Sequence, residues 1–236
     1  ANPSSLSEPG RAAARVLRGA RDRLAHALGV PADQVLLTSG GTEANGLAVL
    51  GACAADVRGH AVVSAVEHPS VLGSADLLER RGWTVTRVPP GADGRVDPLR
   101  FAEAAGPDTR LACLMHVNNE MGAIQPLADA LPALKARAPR CVTLVDAVQS
   151  FTRLPMTPDA WEADFVAVSG HKIGGPRGIG ALVARRRRPQ PLVGGGEQEW
   201  GARPGTENVP GAAGFAAAAE AALARLDARQ AHARQL

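Results

Sequence analysis

The feature that most restricts how this chain can fold is an alternation along nearly its whole length. Short β-branched runs take turns with Ala- and Arg-rich stretches of helical character. Residues 11–28 read as an amphipathic helix ending near Gly29, and Val35–Thr38 as a short buried strand. A helix leads from Ser39–Asn45 toward Gly51, 61–64 is a strand, and another helix starts near Ser70. Residues 83–88, 111–117 and 142–145 read as strands, with helices over 99–105 and around 127–138. Residues 165–169 and 179–183 form a strand pair, and the Ala-rich 211–236 is helical. Strands that alternate with helices make βαβ units, which place strands side by side in parallel with helices above and below. The expected class is therefore α/β, a mostly parallel sheet with helices on both faces. At 236 residues, 45% of them hydrophobic, the chain can bury one large core or two small ones.

The charge balance is informative for its composition more than its size. A net charge of +3 gives no reason to expect a nucleic-acid partner. The basic residues are almost all arginine, with Lys135 and Lys172 the two lysines. Guanidinium stays protonated and cannot replace an amine in imine chemistry, so a lysine kept inside a Gly/His/Ser motif invites a chemical reading. The Arg185–Arg188 run reads as a solvated strand end. Cys53, Cys113 and Cys141 show no metal-ligand spacing, and the latter two lie in apolar runs as buried inert thiols. An odd cysteine count without a secretory pattern suggests a reducing cytoplasm, and no apolar stretch is long enough to cross a membrane. The chain opens on Ala1 and a loop, from which missing upstream sequence is expected.

Four segments with chemical character fall where strands would end, the place at which open α/β sheets hold ligands. Ser39-Gly40-Gly41-Thr42 is either a phosphate cradle at a helix N-terminus or an ordinary helix start. Asp146, just after an apolar strand, is either a helix cap or the partner of a protonated pyridine nitrogen. Lys172, in Ser169-Gly170-His171-Lys172-Ile173-Gly174-Gly175-Pro176, leaves a strand into a Gly-rich loop and must lose a proton to form an imine. Arg203-Pro204-Gly205-Thr206-Glu207-Asn208 is a polar turn of phosphate-binding character. His68 could lie on a planar ring and move protons, or be a surface histidine. Asn119 could hydrogen-bond a ring substituent or a substrate carboxylate.

Taken together, SGGTEAN, EHPSV, MHVNNEMG, VDAVQS, SGHKIGGPRGIGAL and RPGTEN resemble the cysteine desulfurases of iron–sulfur cluster assembly. That family is a branch of the class-V aminotransferases, and the RPGTEN form is similar to its nitrogen-fixation and housekeeping side. The resemblance implies the large domain of the type I fold of pyridoxal-phosphate enzymes, with Lys172 holding the cofactor and Asp146 on the pyridine nitrogen. It further implies His68 stacked on the ring, Gln149 at the ring hydroxyl and Asn119 beside cofactor and substrate. Gly41, Thr42, Ser169 and His171 would hold the phosphate, and Thr206 would reach the phosphate of a partner subunit's site. On this resemblance the chain is shortened at both ends. Residues 1–210 form the cofactor domain, and 211–236 begin a helix toward a small C-terminal domain with the catalytic cysteine. The implied reaction converts L-cysteine to L-alanine with sulfur passed to a persulfide, in a homodimer serving an iron–sulfur scaffold or sulfur acceptor. A selenocysteine lyase, an aminotransferase or a non-catalytic scaffold are the alternatives.

Overall fold

A computed structural model describes residues 1–54 and 58–235 of the chain. Helix α1 (Glu8–Leu28) starts three residues earlier than its apolar periodicity alone indicates, because Ser7 caps it, accepting from the Gly10 N–H at 3.2 Å, and Pro9 occupies its first turn. It ends where Gly29 turns left-handed (φ 68°) and donates to the carbonyls of Ala25 and His26. The strands are β1 (Val35–Thr38), β2 (His60–Ser64), β3 (Thr84–Val88), β4 (Thr109–Cys113), β5 (Val142–Asp146), β6 (Phe165–Ser169) and β7 (Gly180–Ala184). Between them lie α2 (Gly41–Ala52), α3 (Pro69–Arg80), α4 (Pro98–Glu103) and α5 (Leu127–Arg137), and α6 (Val209–Leu223) and α7 (Leu226–Ala233) close the chain.

The strands form one sheet in the order β1-β7-β6-β5-β4-β2-β3. Its β6-β5-β4-β2-β3 part is parallel throughout. Strand β7 runs antiparallel to both β6 and β1. The reason is the connection: only residues 170–179 separate β6 from β7, too few for a crossover that would bring the chain back parallel. Along each strand alternate residues enter opposite cores. Leu36, Phe165, Ala167 and Leu182 pack with α2 and α3, while Leu37, Val166, Val168 and Val183 pack with α1, α5 and α6. Both faces are covered, which is why the strands read as unbroken apolar runs.

Three expectations need correction. Strand β4 ends at Cys113 instead of Val117, although Leu114 N and His116 N still donate to Leu144 O and Asp146 O as the chain leaves the sheet. The 211–236 helix is two, α6 and α7, with α6 starting at Val209 under an Asn208 cap. Ala212, Phe215, Ala216 and Ala219 of α6 share a core with Leu17 and Leu24 of α1. The arginine run follows the end of β7 but is only partly solvated: Arg185 is largely buried, donates to Pro158 O and Ala163 O and pairs with Asp159. Arg188 stacks 4.4 Å over Trp200, which Arg21 also contacts at 4.7 Å. No helix among the described residues is long and apolar enough to cross a membrane.

Candidate active site

Strands β1, β5 and β6 end on the same edge of the sheet, and each hands a polar segment to a cavity of about 200 Å³ there. Gly41, Thr42 and Asn45 come from the first turns of α2, Asp146, Val148 and Gln149 from the end of β5, and Ser169, His171 and Lys172 from the end of β6. His68, Met115 and Asn119 complete the lining. Close packing brings these segments together. A Cβ on Gly41 would lie 2.6 Å from Val148 Cγ2, and one on Gly180 would lie 2.7 Å from the backbone of Gly40. Only glycine lets the α2 N-terminus approach β5, β6 and β7 this closely.

The floor of the cavity is the carboxyl of Asp146, almost fully buried. Val148 N–H donates to Oδ1 at 2.9 Å and Asn45 Nδ2 to Oδ2 at 2.7 Å. Burial raises its pKa, while those two donors and the charge of Lys172 act in the opposite direction. Asn45 Nδ2 also reaches Ser70 Oγ at 2.9 Å, and Ser70 Oγ lies 2.7 Å from His68 Nδ1. Ser70 N–H donates to the same nitrogen at 3.1 Å, so Nδ1 is an acceptor and the imidazole proton sits on Nε2. A polar chain thus runs from Asp146 through Asn45 and Ser70 to His68. Behind Asp146, Glu67 accepts from Ser64 Oγ at 2.7 Å and Met115 N–H at 2.6 Å. Burial, aided by the neighbouring Asp146 charge, pushes its pKa up to about 8.

Part of the cavity lining carries donors that favour an anion. Gly41 and Thr42 at the α2 N-terminus line it together with Ser169 and His171, and Ser169 Oγ lies 3.0 Å from His171 Nδ1. Burial lowers the pKa of His171, and the charges of Lys172 and Arg177 add to the effect. Lys172 stands on a tight turn, Gly170–Ile173, closed by left-handed Gly174 (φ 86°), and its side chain is exposed at the cavity. Asn119 is held by an Asx turn in which Asn118 Oδ1 accepts from the N–H groups of Glu120 and Met121. The other lysine, Lys135, is buried against Asp164 at 2.7 Å, an internal ion pair far from this chemistry in role.

Of the residues singled out from sequence, the cavity gathers all except Thr206. That residue is exposed and lines a separate, smaller cavity with Ser39, Glu199 and Arg203. Asn45, Ser70 and Met115 went unassigned, although TEAN and EHPS lay inside the motifs; a residue that acts by holding another carries no signature of its own. Cys53, Cys113 and Cys141 are buried and none lines the cavity. Burial raises the Cys113 thiol and pushes Cys141 up to about 12. Among the described residues no group of His, Cys, Asp and Glu is arranged to hold a metal ion.

An open α/β sheet here carries a lysine turn, a buried aspartate and a helix N-terminus around one cavity, a fold it shares with solved NifS-like proteins. The family model of class-V aminotransferases matches residues 1–236. The chain belongs to the class-V aminotransferase family. It is 45% identical over 226 residues to a cysteine desulfurase of Cereibacter sphaeroides, covering 94% of this chain and 58% of that protein. A solved NifS-like protein superposes with a TM-score of 0.90 at 34% identity, covering 96% of this chain and 63% of that one. The solved SspA in complex with cysteine gives 0.89 at 36%, with 93% and 64% covered. The chain thus spans about three-fifths of the length of these relatives.

Proposed function

We propose that this chain holds pyridoxal phosphate on Lys172 and is the cofactor-binding part of a cysteine desulfurase. The observation that carries the reading is the single cavity into which an amine, a buried carboxyl and a helix N-terminus all face. The cavity fits the cofactor on its donor set: hydroxyls and amides for a phosphate, and a carboxyl for a ring nitrogen. Pyridoxal phosphate bound there supplies an aldehyde carbon for an amine and a cationic ring that draws electrons from the substrate α-carbon. Thr42, Ser169, His171 and the α2 amides would receive the phosphate, and Asp146 would keep the ring nitrogen protonated. Asn45 and the Val148 N–H fix the direction of that carboxylate. Gln149 would donate to the ring hydroxyl, and His68, its Nε2 carrying the proton, would lie over the ring. Asn119 would face the substrate. Lys172 would hold the cofactor, and its Nζ, at the edge of the same cavity, would be the group placed to move a proton at the substrate α-carbon.

In the overall reaction L-cysteine and an acceptor thiol give L-alanine and a persulfide. A thiolate must attack the substrate sulfur, and buried Cys113 and Cys141 with raised pKa values are unsuited to it. On this reading the attacking thiol is none of Cys53, Cys113 and Cys141, all buried and outside the cavity lining. Cysteine as substrate is supported by the names of the relatives and by the SspA complex.

The test is a visible-region titration with pyridoxal phosphate, run on the chain and on Lys172→Ala, followed by addition of L-cysteine. The expected outcome is an absorbance band from covalently held cofactor that Lys172→Ala abolishes, with no repeated release of alanine from the chain alone. A band that survives in Lys172→Ala, or none in the unaltered chain, overturns the reading. In the protein that supplies the thiol, comparing products from cysteine, selenocysteine and a keto-acid acceptor separates desulfurase from lyase and aminotransferase.

A further inference from the structure

Gln149 and Lys172 stand on different loops, one after β5 and the other after β6, yet both must hold their places for one cavity to exist. A single side chain joins the two loops. Arg153 Nη1 donates to Gln149 O at 2.6 Å and its Nη2 to Lys172 O at 2.6 Å. The turn does not hold that second carbonyl by itself, since the amides of Gly174 and Gly175 both converge on Gly170 O. Two short bonds from one rigid planar fork fix a distance as well as a direction, which a flexible ammonium cannot do.

The backbone beside the arginine supports a built feature. Thr152 is a buried β-branched residue in the left-handed region (φ 60°), and its buried Oγ1 has no hydrogen-bond partner among the described residues. Such a conformation costs about 1–3 kcal/mol and persists where its surroundings impose it. From the same residue, Arg153 O accepts from Gln230 Nε2 of α7 at 2.9 Å, anchoring the turn from the far side.

We infer that Arg153 is the positioning residue of this site: its guanidinium clamps the Lys172 turn to the Gln149 loop and so sets where the amine stands relative to the cavity. The inference rests on the reading of Lys172 as the cofactor-holding residue, but the clamp itself can be measured without cofactor. Hydrogen exchange of the cofactor-free chain should show faster exchange at residues 147–150 and 170–175 in Arg153→Met and little change elsewhere. The dissociation constant for pyridoxal phosphate, read from the visible band, should weaken roughly tenfold in Arg153→Met. Arg153→Lys, keeping charge but losing the fork, should recover only part of it. Exchange and affinity equal to the unaltered chain in Arg153→Met overturn the clamp. Exchange that rises evenly along the whole chain also overturns it, because the role is then general stability. Full recovery by Arg153→Lys overturns the need for the fork. Should the unaltered chain show no Lys172-dependent band, the cofactor reading fails, and the exchange comparison still decides the clamp.

Discussion

Two buried carboxyls near this site both have pKa values raised, chiefly by burial, and they differ in how their oxygens are matched by donors. Asp146 has two good ones on opposite oxygens and the charge of Lys172 nearby. Glu67 receives both of its hydrogen bonds on Oε1, and its buried Oε2 has no partner among the described residues. Its pKa rises to about 8, from an ordinary value of 4.5. A carboxyl whose folded pKa lies above its unfolded one binds its proton more tightly when folded, so its favourable contribution is complete below the unfolded value. That contribution is lost as pH climbs between about 4.5 and 8, at a slope approaching about 1.4 kcal/mol per pH unit. Glu67→Gln keeps the shape and removes the titration. Denaturant unfolding from pH 5 to 8 should therefore show a stability that declines with pH in the unaltered chain and a flatter profile in the variant. Identical slopes would mean that Glu67 is not the group responsible. Nothing in Glu67-His68-Pro69-Ser70 as a string reveals this arrangement. Lys172 and Asp146 were legible because their chemistry belongs to the residue type and their place at a strand end is a local signal. The Asn45–Asp146 bond joins residues 101 apart in sequence, and only the folded sheet makes them neighbours.

At the scale of elements the alternation of periods carried most of the architecture, and the departures have local causes. Strand β4 stops at Cys113, short of its apolar run; Leu114 and Met115 beyond it are buried all the same, and burial gives a loop the same composition as a strand. The antiparallel turn of β7 follows from connection length, a constraint invisible to a reading based on residue type. Glycines mark the places where elements meet, and two of them predict opposite signs. In Gly41→Ala the new methyl would press on Val148 Cγ2 at 2.6 Å, and Val148 N–H orients Asp146. Overpacking of this kind costs about 1–3 kcal/mol. The variant should lose stability and bind pyridoxal phosphate more weakly. Gly19 lies inside α1 with nothing within 4 Å of a new Cβ, so Gly19→Ala should gain about 0.5–1 kcal/mol from helix propensity with cofactor binding unchanged. Denaturant midpoints of the pair, measured side by side, check both signs. A neutral Gly41→Ala would show that the α2 N-terminus can retreat from the cavity without cost.

For the molecule as a whole, Thr206 is the residue whose position a single chain leaves without use. It lies in an exposed turn outside the cavity that holds Lys172. The same stretch of chain exposes Leu192, Val193 and Trp200, large apolar groups of the kind that cover one another at interfaces. If the chain pairs as a homodimer with Thr206 reaching the partner subunit's phosphate, both facts are accounted for and symmetry gives two shared sites. The consequence is complementation between two defective variants. Lys172→Ala lacks the amine but keeps the hydroxyl, and Thr206→Ala has the reverse. Mixed by unfolding and refolding together, they should form hybrids with one intact site and one doubly defective site. Titration with pyridoxal phosphate should then show tight Lys172-dependent binding in the mixture. Pure Lys172→Ala should give none, and pure Thr206→Ala binding several-fold weaker than the unaltered chain, as loss of one hydrogen bond to a charged group entails. Sedimentation of the mixture reports whether hybrids formed. If hybrids form and the titration is simply the average of the two pure variants, Thr206 acts within its own chain or not at all. If the chain sediments as a monomer under the titration conditions and Thr206→Ala still binds as the unaltered chain does, the shared site is wrong, and the exposed turn serves another surface.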